Sequence, residues 1–201
     1  MSILTHFQSL GVMLNCLHMR KIIVQEMLTV DGFFCGPKGE IDWHNVDAEF
    51  NDYAIAALDT FDTLLFGRVT YDLMASYWPT EAGVKDDPIV AEKMNSLHKL
   101  VLSKSLEKLE WNNSTLLKEI DAEEIKKMKQ EEGKDIAIFG SGKIVEQFAE
   151  LGLIDEYRFF VAPVILGEGR TLFAGLKERK KLRLLSAQEF ASGNVLVRYA
   201  N

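Results

Sequence analysis

One strand-to-helix junction carries glycine, serine and lysine in a pattern that could bind an anion. Residues 138–148 read IFGSGKIVEQF, so an apolar run stops at Gly140-Ser141-Gly142-Lys143 and apolar residues then resume at helical spacing. Glycines at such a junction let backbone N–H groups face outward, and the first turn of a helix attracts negative charge. The alternative is a tight turn without a ligand, since glycine is common wherever φ is positive.

The two best-known nucleotide signatures do not fit this turn. A triphosphatase loop, G-x-x-x-x-G-K-[ST], would need glycine where the chain has Ala137 and a hydroxyl where it has Ile144. The dinucleotide fingerprint G-x-G-x-x-G fits the two glycines of the turn, but its third glycine falls on Val145. An anion site at this turn would therefore be of another kind, and a turn without a ligand remains the alternative.

Two other predicted strands end in residues of the same chemistry. TLLFGRVTYD places Gly67, Arg68 and Thr70 at the start of a helix, and KLVLSKSL places Ser103 and Lys104 after the next strand. Strand ends of one parallel sheet meet at one edge, so the three junctions could line a single crevice for an elongated anion. For Arg68, an ion pair with Asp72 four residues on is the alternative.

The hydrophobic pattern predicts the sheet and helices that would position these junctions. Short apolar runs alternate with helix-period segments as far as residue 151, and the last quarter contains strands without helices, in EYRFFVAPVILGEG, KLRLLSAQEF and NVLVRYA. Asp87-Pro88 and Asp121 are each predicted to begin a helix, and the helix that begins at Asp121 is predicted to end at Gly133. The segment PTEAGVKDD is predicted to be a loop. This order favours an α/β fold in three layers, with a mostly parallel sheet, helices on both faces and an antiparallel C-terminal edge.

Composition limits the class of protein. A net charge of −7 gives no general reason to bind nucleic acid or an anionic membrane, and no apolar run of about twenty residues predicts a spanning helix. The two cysteines have no metal-ligand spacing and suggest no disulfide framework, which favours a reducing compartment, the cytoplasm. We expect residues 1–18 to be an extension and residues 19–201 to form one domain, because no linker divides them.

Six segments together resemble the dihydrofolate reductase superfamily, and within it the C-terminal reductase domain of the bifunctional riboflavin-biosynthesis deaminase-reductase. They are LTVDGFF, LLFGRVTY, LVLSKSL, IAIFGSGKIVEQF, LGLIDEYRFFVAPVILGEG and TLF. The resemblance implies that NADPH is the hydride donor and lies across the carboxyl ends of the strands. It also implies a homodimer, since members of this group often form dimers.

The resemblance implies a role for each strand-end residue. Gly67, Arg68 and Thr70 would meet the phosphates, with Arg68 near the 2′-phosphate, because guanidinium offers paired donors to phosphate oxygens. The adenosine phosphate end would lie beside Ser103 and Lys104. The pyrophosphate would lie on the turn formed by Gly140, Ser141, Gly142 and Lys143.

Reduction of a C=N or C=O bond also needs a proton donor, and the sequence offers Asp31 and Asp47, with Glu49 behind them. Asp31 could instead begin an Asp-Gly turn, and Asp47 could cap a helix. Trp43 and His44 follow a glycine-rich loop and could cover the substrate, with Glu49 nearby, although a single tryptophan there is often a core residue. No role follows for Glu168.

The turn departs from the known members of the group. Riboflavin-pathway reductases carry a glutamate, tied to substrate recognition, where this chain has Phe139, and dihydrofolate reductases have adjacent glycines where Ser141 separates them here. We therefore expect a reductase of a pterin-like, pyrimidine-like or other small heterocyclic substrate. The alternative is a module of the same fold that binds NADPH without turnover.

Overall fold

The computed structural model describes residues 19–201, which contain eight strands and six helices. The strands are β1 (Ile22–Thr29), β2 (Phe61–Gly67), β3 (His98–Leu102), β4 (Ser114–Leu117), β5 (Asp135–Phe139), β6 (Glu156–Ala162), β7 (Arg183–Glu189) and β8 (Val195–Ala200). The helices are α1 (Ala48–Leu58), α2 (Arg68–Ala75), α3 (Glu81–Asp86), α4 (Pro88–Ser96), α5 (Ala122–Gln130) and α6 (Gly142–Glu150). The predicted extension, residues 1–18, lies outside the described residues.

All eight strands belong to one sheet in the order β4-β3-β2-β5-β1-β6-β8-β7. The first six strands in this order run parallel, whereas β8 is antiparallel to both β6 and β7. The carboxyl ends of β1, β2, β3 and β5 therefore lie at one edge. The predicted α/β class, with its parallel sheet and antiparallel C-terminal edge, is confirmed.

Helices cover both faces of the parallel part of the sheet, as predicted. Ile22 and Val24 of β1 pack in a cluster with residues of α5 and α6, whereas Ile23 packs in a second cluster with residues of α1, α2 and α4. Alternate side chains of a strand point to opposite faces, so β1 is buried on both sides. A third cluster, around Met27 and Phe160, lies toward the antiparallel edge.

Two local predictions were wrong. Residues 81–86 form α3 rather than a loop, because the Thr80 side chain accepts a hydrogen bond from the Gly83 N–H and begins a helical turn. The predicted strand from residue 156 to 169 ends at Ala162 as β6. Between Ala162 and β7, the described chain forms one isolated bridge, in which Arg170 pairs with Cys35. The proline at 163 explains the early end, since it has no N–H for a sheet ladder.

Side chains cap four of the six helices. Asp47 accepts a hydrogen bond from the Phe50 N–H (2.8 Å) at α1, and Asp87 accepts one from the Val90 N–H (2.9 Å) at α4. Thr80 caps α3, and Asp121 caps α5 by accepting from two N–H groups. These side chains satisfy N–H groups that a helix cannot satisfy internally.

Candidate active site

A cavity of about 950 Å³ opens at the carboxyl ends of β1, β2 and β5. It extends over both faces of the sheet edge. One part, the α6 half, is lined by Phe34, Gly142, Lys143, Glu146 and residues 169–171; the other, the α1–α4 half, is lined by α1, α2 and α4 together with Trp78, Phe139 and Phe160. Such a crevice at the strand ends is where α/β proteins usually bind their ligands.

The two helices without a side-chain cap, α2 and α6, both begin at this cavity. Gly67 precedes α2 and Ser141 precedes α6, and neither makes a side-chain hydrogen bond to its helix. The N–H groups of both first turns, and the positive ends of both helix dipoles, thus lack the partner that the other four helices have. Two adjacent uncapped helix starts are suited to bind an anion.

The glycines of the two junctions allow the helix starts to approach each other. A Cβ on Gly67 would lie 2.2 Å from Ser141 Oγ, and one on Gly140 would lie 2.8 Å from Thr70 Oγ1. Gly140 and Ser141 both have left-handed backbones, with φ of 71° and 73°. A left-handed serine costs about 1 kcal/mol or more, and such strain is concentrated at functional sites.

The structure places the predicted cofactor residues in two groups. Thr70 and the whole turn from Gly140 to Lys143 line the cavity. Gly67 is not among the described lining residues, but it packs against the side chain of Ser141. Arg68, Ser103 and Lys104 are not among its described lining residues.

Arg68 and Ser103 have partners within the protein. Arg68 donates to Asp72 (3.1 Å) and is half exposed, the alternative noted from the sequence. Ser103 Oγ accepts from the N–H groups of Ser105 and Leu106 in the turn after β3. The phosphate roles of Arg68, Ser103 and Lys104 stay predictions.

The predicted proton donors hold loops and helix ends. Asp31 accepts hydrogen bonds from Thr29 Oγ1 and from the N–H groups of Leu166 and Gly167, and these bonds hold its pKa below the ordinary value. Asp47 caps α1, and Glu49 accepts from the Ala191 N–H (2.7 Å). None of the three carboxylates is among the described residues that line the cavity.

A carboxylic acid that does line the cavity is Glu26, in the middle of β1. Its Oε1 is shielded from solvent and has no hydrogen-bond partner in the described chain. Burial raises the pKa of Glu26 to about 8, and a backbone hydrogen bond from Gly140 opposes the shift. Glu26 is therefore mostly protonated at neutral pH, the state that a proton donor requires.

Sequence analysis missed Glu26, although a signal for it was present. In KIIVQEMLTV, Gln25 and Glu26 interrupt an apolar run in a predicted strand, which the structure shows to be covered by helices on both faces. A charged residue in such a strand is costly unless it is paired or neutralised. This cost marks it as a candidate for function.

His44 and Trp43 are both half-buried against the α1–α4 half. The His44 ring lines the cavity, its Nε2 has no described partner, and burial lowers its pKa to about 4, so the ring is neutral at pH 7. Trp43 packs in the third core cluster and is not among the described lining residues. Its indole stands edge-on to His44, with ring centroids 4.5 Å apart, and supports that ring from behind.

Solved structures share this fold. A putative riboflavin biosynthesis protein from Shewanella sp. PV-4 superposes with a TM-score of 0.69 at 22% identity, covering 90% of this chain and 98% of that one. Dihydrofolate reductase from Enterococcus faecalis, complexed with NADP(H), gives 0.56 at 16% identity, covering 90% and 95%. These two proteins and this chain thus share one fold.

Sequence comparison defines the family more narrowly. Residues 20–196 match the RibD C-terminal domain, and the chain belongs to that family. The uncharacterized protein YyaP of Bacillus subtilis (strain 168) is 34% identical over 189 residues, which cover 93% of this chain and 98% of YyaP. Within residues 19–201, no helix is long and apolar enough to cross a bilayer, and no group of three or more His, Cys, Asp or Glu side chains is placed to hold a metal ion.

Proposed function

We propose that the protein is an NADPH-dependent reductase of a small heterocyclic substrate. The observation that carries the proposal is the meeting of two uncapped helix N-termini, α2 and α6, at a cavity that also contains a buried carboxylic acid. The helix starts suit a pyrophosphate, and the acid suits the proton half of a reduction. The reductase-type fold supports this reading.

The phosphate end of the cofactor would lie on the two helix starts. The backbone N–H groups of the Gly140–Lys143 turn would donate to the pyrophosphate, and Thr70 and Lys143 would add a hydroxyl and an ammonium group. Lys143 is free to do so because its side chain is 82% exposed, with Glu146 3.9 Å away. Arg68 would leave Asp72 to pair with the 2′-phosphate, and Ser103 and Lys104, at the end of the neighbouring strand, would flank the adenosine phosphate end.

Glu26 is our proposed proton donor, in preference to Asp31 and Asp47. NADPH, when bound, would supply a hydride to the carbon of a C=N or C=O bond, and the carboxyl group of Glu26 would donate the proton to the nitrogen or oxygen. The anion left on Glu26 is then reprotonated from water. Asp31 accepts several hydrogen bonds and Asp47 caps a helix, whereas Glu26 Oε1 has no partner among the described residues.

Two further properties belong to the same proposal. A homodimer is supported by β7, an edge strand whose seven residues are all exposed, including Leu184 and Leu185. A second copy could cover this strand, as edge strands otherwise invite uncontrolled pairing. We also place the protein in the cytoplasm, where NADPH and reduced thiols such as that of buried Cys35 fit the compartment.

Nucleotide titration tests the cofactor assignment. Trp78 lines the cavity, so its fluorescence should be quenched by NADPH, and we expect NADPH to bind at least about tenfold tighter than NADH because the 2′-phosphate adds a charge-assisted contact. Arg68→Ala should reduce this preference, whereas Arg179→Ala, at another exposed arginine, should preserve it. Equal affinities for the two nucleotides in the unmodified protein would refute the NADPH assignment. NADPH binding without turnover of any heterocycle would instead indicate the non-catalytic module.

A further inference from the structure

The two halves of the cavity differ in charge. Four charged side chains are among its described lining residues: Glu26, Lys143, Glu146 and Arg170. Lys143 and Glu146 belong to α6, and Arg170 precedes Thr171, whose carbonyl lies 3.7 Å from a Cβ built on Gly142. The basic groups thus lie around the start of α6. Among the described lining residues of the α1–α4 half there is no charged side chain, and residues 1–18 contain no lysine or arginine to add one.

The α1–α4 half is nevertheless built to orient a ring. Phe50, Trp78, Phe139 and Phe160 contribute aromatic surface, which favours a flat ligand. The polar groups that interrupt this surface are neutral, namely two amides, Gln25 and Asn51, the Thr70 hydroxyl and the His44 ring. Amides distinguish donors from acceptors on a ligand without demanding that it be charged.

Hydrogen bonding within the protein orients the Gln25 amide. Arg158 is buried and can only donate, and it hydrogen-bonds the Tyr53 side chain, so the Tyr53 oxygen accepts. The Tyr53 hydroxyl is then free to donate to Gln25 Oε1, 3.4 Å away. The Gln25 Nε2 group, for which the described chain provides no partner, is left as a donor at the cavity.

Asn51 presents the opposite group. Its Nδ2 donates to Asp87 Oδ2 (2.7 Å), and Asp87 is itself fixed as the cap of α4. The Asn51 Oδ1 atom is therefore the acceptor that remains for a ligand. One donor and one acceptor in an apolar pocket complement the C=O and N–H groups of a lactam edge.

From this arrangement we infer the substrate class: an uncharged, planar lactam heterocycle that carries no phosphate or carboxylate. The inference rests on the proposed reductase function and narrows it, and it requires the reducible bond of the ring to face Glu26, which lines the same cavity. A phosphorylated or carboxylated substituent in the α1–α4 half would lose its hydration without meeting a cation, which is unfavourable for a buried ion. Gln25 and Asn51 then determine specificity, and Tyr53 is a positioning residue that acts through Gln25.

Three matched pteridines test the inference by calorimetry on the protein saturated with NADP⁺. We expect 6-methylpterin, a neutral lactam, to bind at least about tenfold tighter than pterin-6-carboxylate, the anionic lactam, and than 2,4-diamino-6-methylpteridine, which lacks the lactam carbonyl. Equal or tighter binding of either comparison compound, or failure of 6-methylpterin to bind, overturns the inference. NADPH affinity is measured on the same samples, so that loss of nucleotide binding, which refutes the reductase proposal, is recognised separately.

Variants separate charge from hydrogen bonding. Val46 lines the cavity and is 58% exposed, so Val46→Arg should add a cation without disturbing the core. We expect Val46→Arg to improve binding of pterin-6-carboxylate about tenfold, whereas Val46→Gln should not.

Gln25→Leu should remove the preference for 6-methylpterin over the diamino compound. Tyr53→Phe should reduce that preference partly, because the Gln25 amide can then rotate. If Tyr53 had a purely structural role, the substitution would weaken the binding of both compounds equally. Unchanged selectivity in both Gln25→Leu and Tyr53→Phe would contradict the assignment.

Discussion

The helix starts and the candidate proton donors at the cavity differ from those elsewhere in the fold. Outside, Asp47, Thr80, Asp87 and Asp121 satisfy the first N–H groups of four helices, and Asp31 accepts bonds from a neighbouring loop. At the cavity, the starts of α2 and α6 have no side-chain cap, and the buried atoms Glu26 Oε1 and His44 Nε2 lack partners among the described residues. Proteins seldom leave buried polar groups unsatisfied without a functional reason.

This difference shows why residue type alone is a weak guide to the acid. Asp31 and Asp47 are acidic, close to predicted strand and helix ends, and consistent with the family resemblance, yet their oxygens already accept hydrogen bonds. Glu26 lies inside a strand, where sequence reasoning expects packing rather than chemistry. What distinguishes it is the missing partner, together with a pKa raised by burial.

The largest effect is expected at Glu26. Glu26→Gln keeps the shape of the side chain and removes the proton, so NADPH oxidation with an accepted heterocycle should fall by about 10³-fold in kcat, within the range for general acids. In the unmodified protein the rate should fall as pH rises through about 8, where Glu26 loses its proton. Asp31→Asn is the matched control and should keep most of the activity. If Asp31→Asn is the variant that loses activity, the comparison between the two carboxylates is reversed.

The same substitution should change how stability depends on pH. The pKa of Glu26 is raised from 4.5 to about 8 on folding, so the folded state holds this proton more tightly than the unfolded state. Stability is thus lost progressively as pH rises from about 4.5 to 8, by about 3 to 5 kcal/mol in total. Urea unfolding at pH 5 and pH 9 should show that Glu26→Gln is relatively more stable at the higher pH. An unchanged difference between the two proteins would mean that the Glu26 carboxyl is not desolvated.

The architecture could be predicted because it depends on local signals that are visible in the sequence. Alternating apolar runs and helix-period segments predicted the sheet, and Asp87-Pro88 and Asp121 correctly marked two helix starts. The meeting of α2 and α6 was partly predictable, from glycines after two strands. Three features depend on contacts between distant segments, and no local pattern encodes them. They are the absence of caps on α2 and α6, the orientation of Gln25 by Tyr53 and the lack of a described partner for Glu26 Oε1.

A capped helix outside the cavity should respond differently from an uncapped one. Asp121→Ala removes two hydrogen bonds from the start of α5 and should lower the free energy of unfolding by about 1 kcal/mol. NADPH affinity should not change, because α5 is not among the described elements that line the cavity. Thermal or urea unfolding, combined with nucleotide titration, measures both quantities. A marked loss of NADPH affinity would show that the outer helices are coupled to the cavity.

The smallest effect, and the one that separates function from folding most directly, is expected at Ser141. Ser141 has a left-handed backbone and makes no capping bond, so Ser141→Gly should stabilise the protein by about 0.5 to 1 kcal/mol. If the strain exists to aim N–H groups at a pyrophosphate, a more mobile glycine should weaken NADPH binding by a few-fold while stability rises. Gly193→Ala, at another left-handed position outside the cavity, should lower stability and leave the nucleotide affinity unchanged. A stabilised Ser141→Gly protein with full NADPH affinity would indicate that the strain at this turn serves only the close packing of α2 against α6.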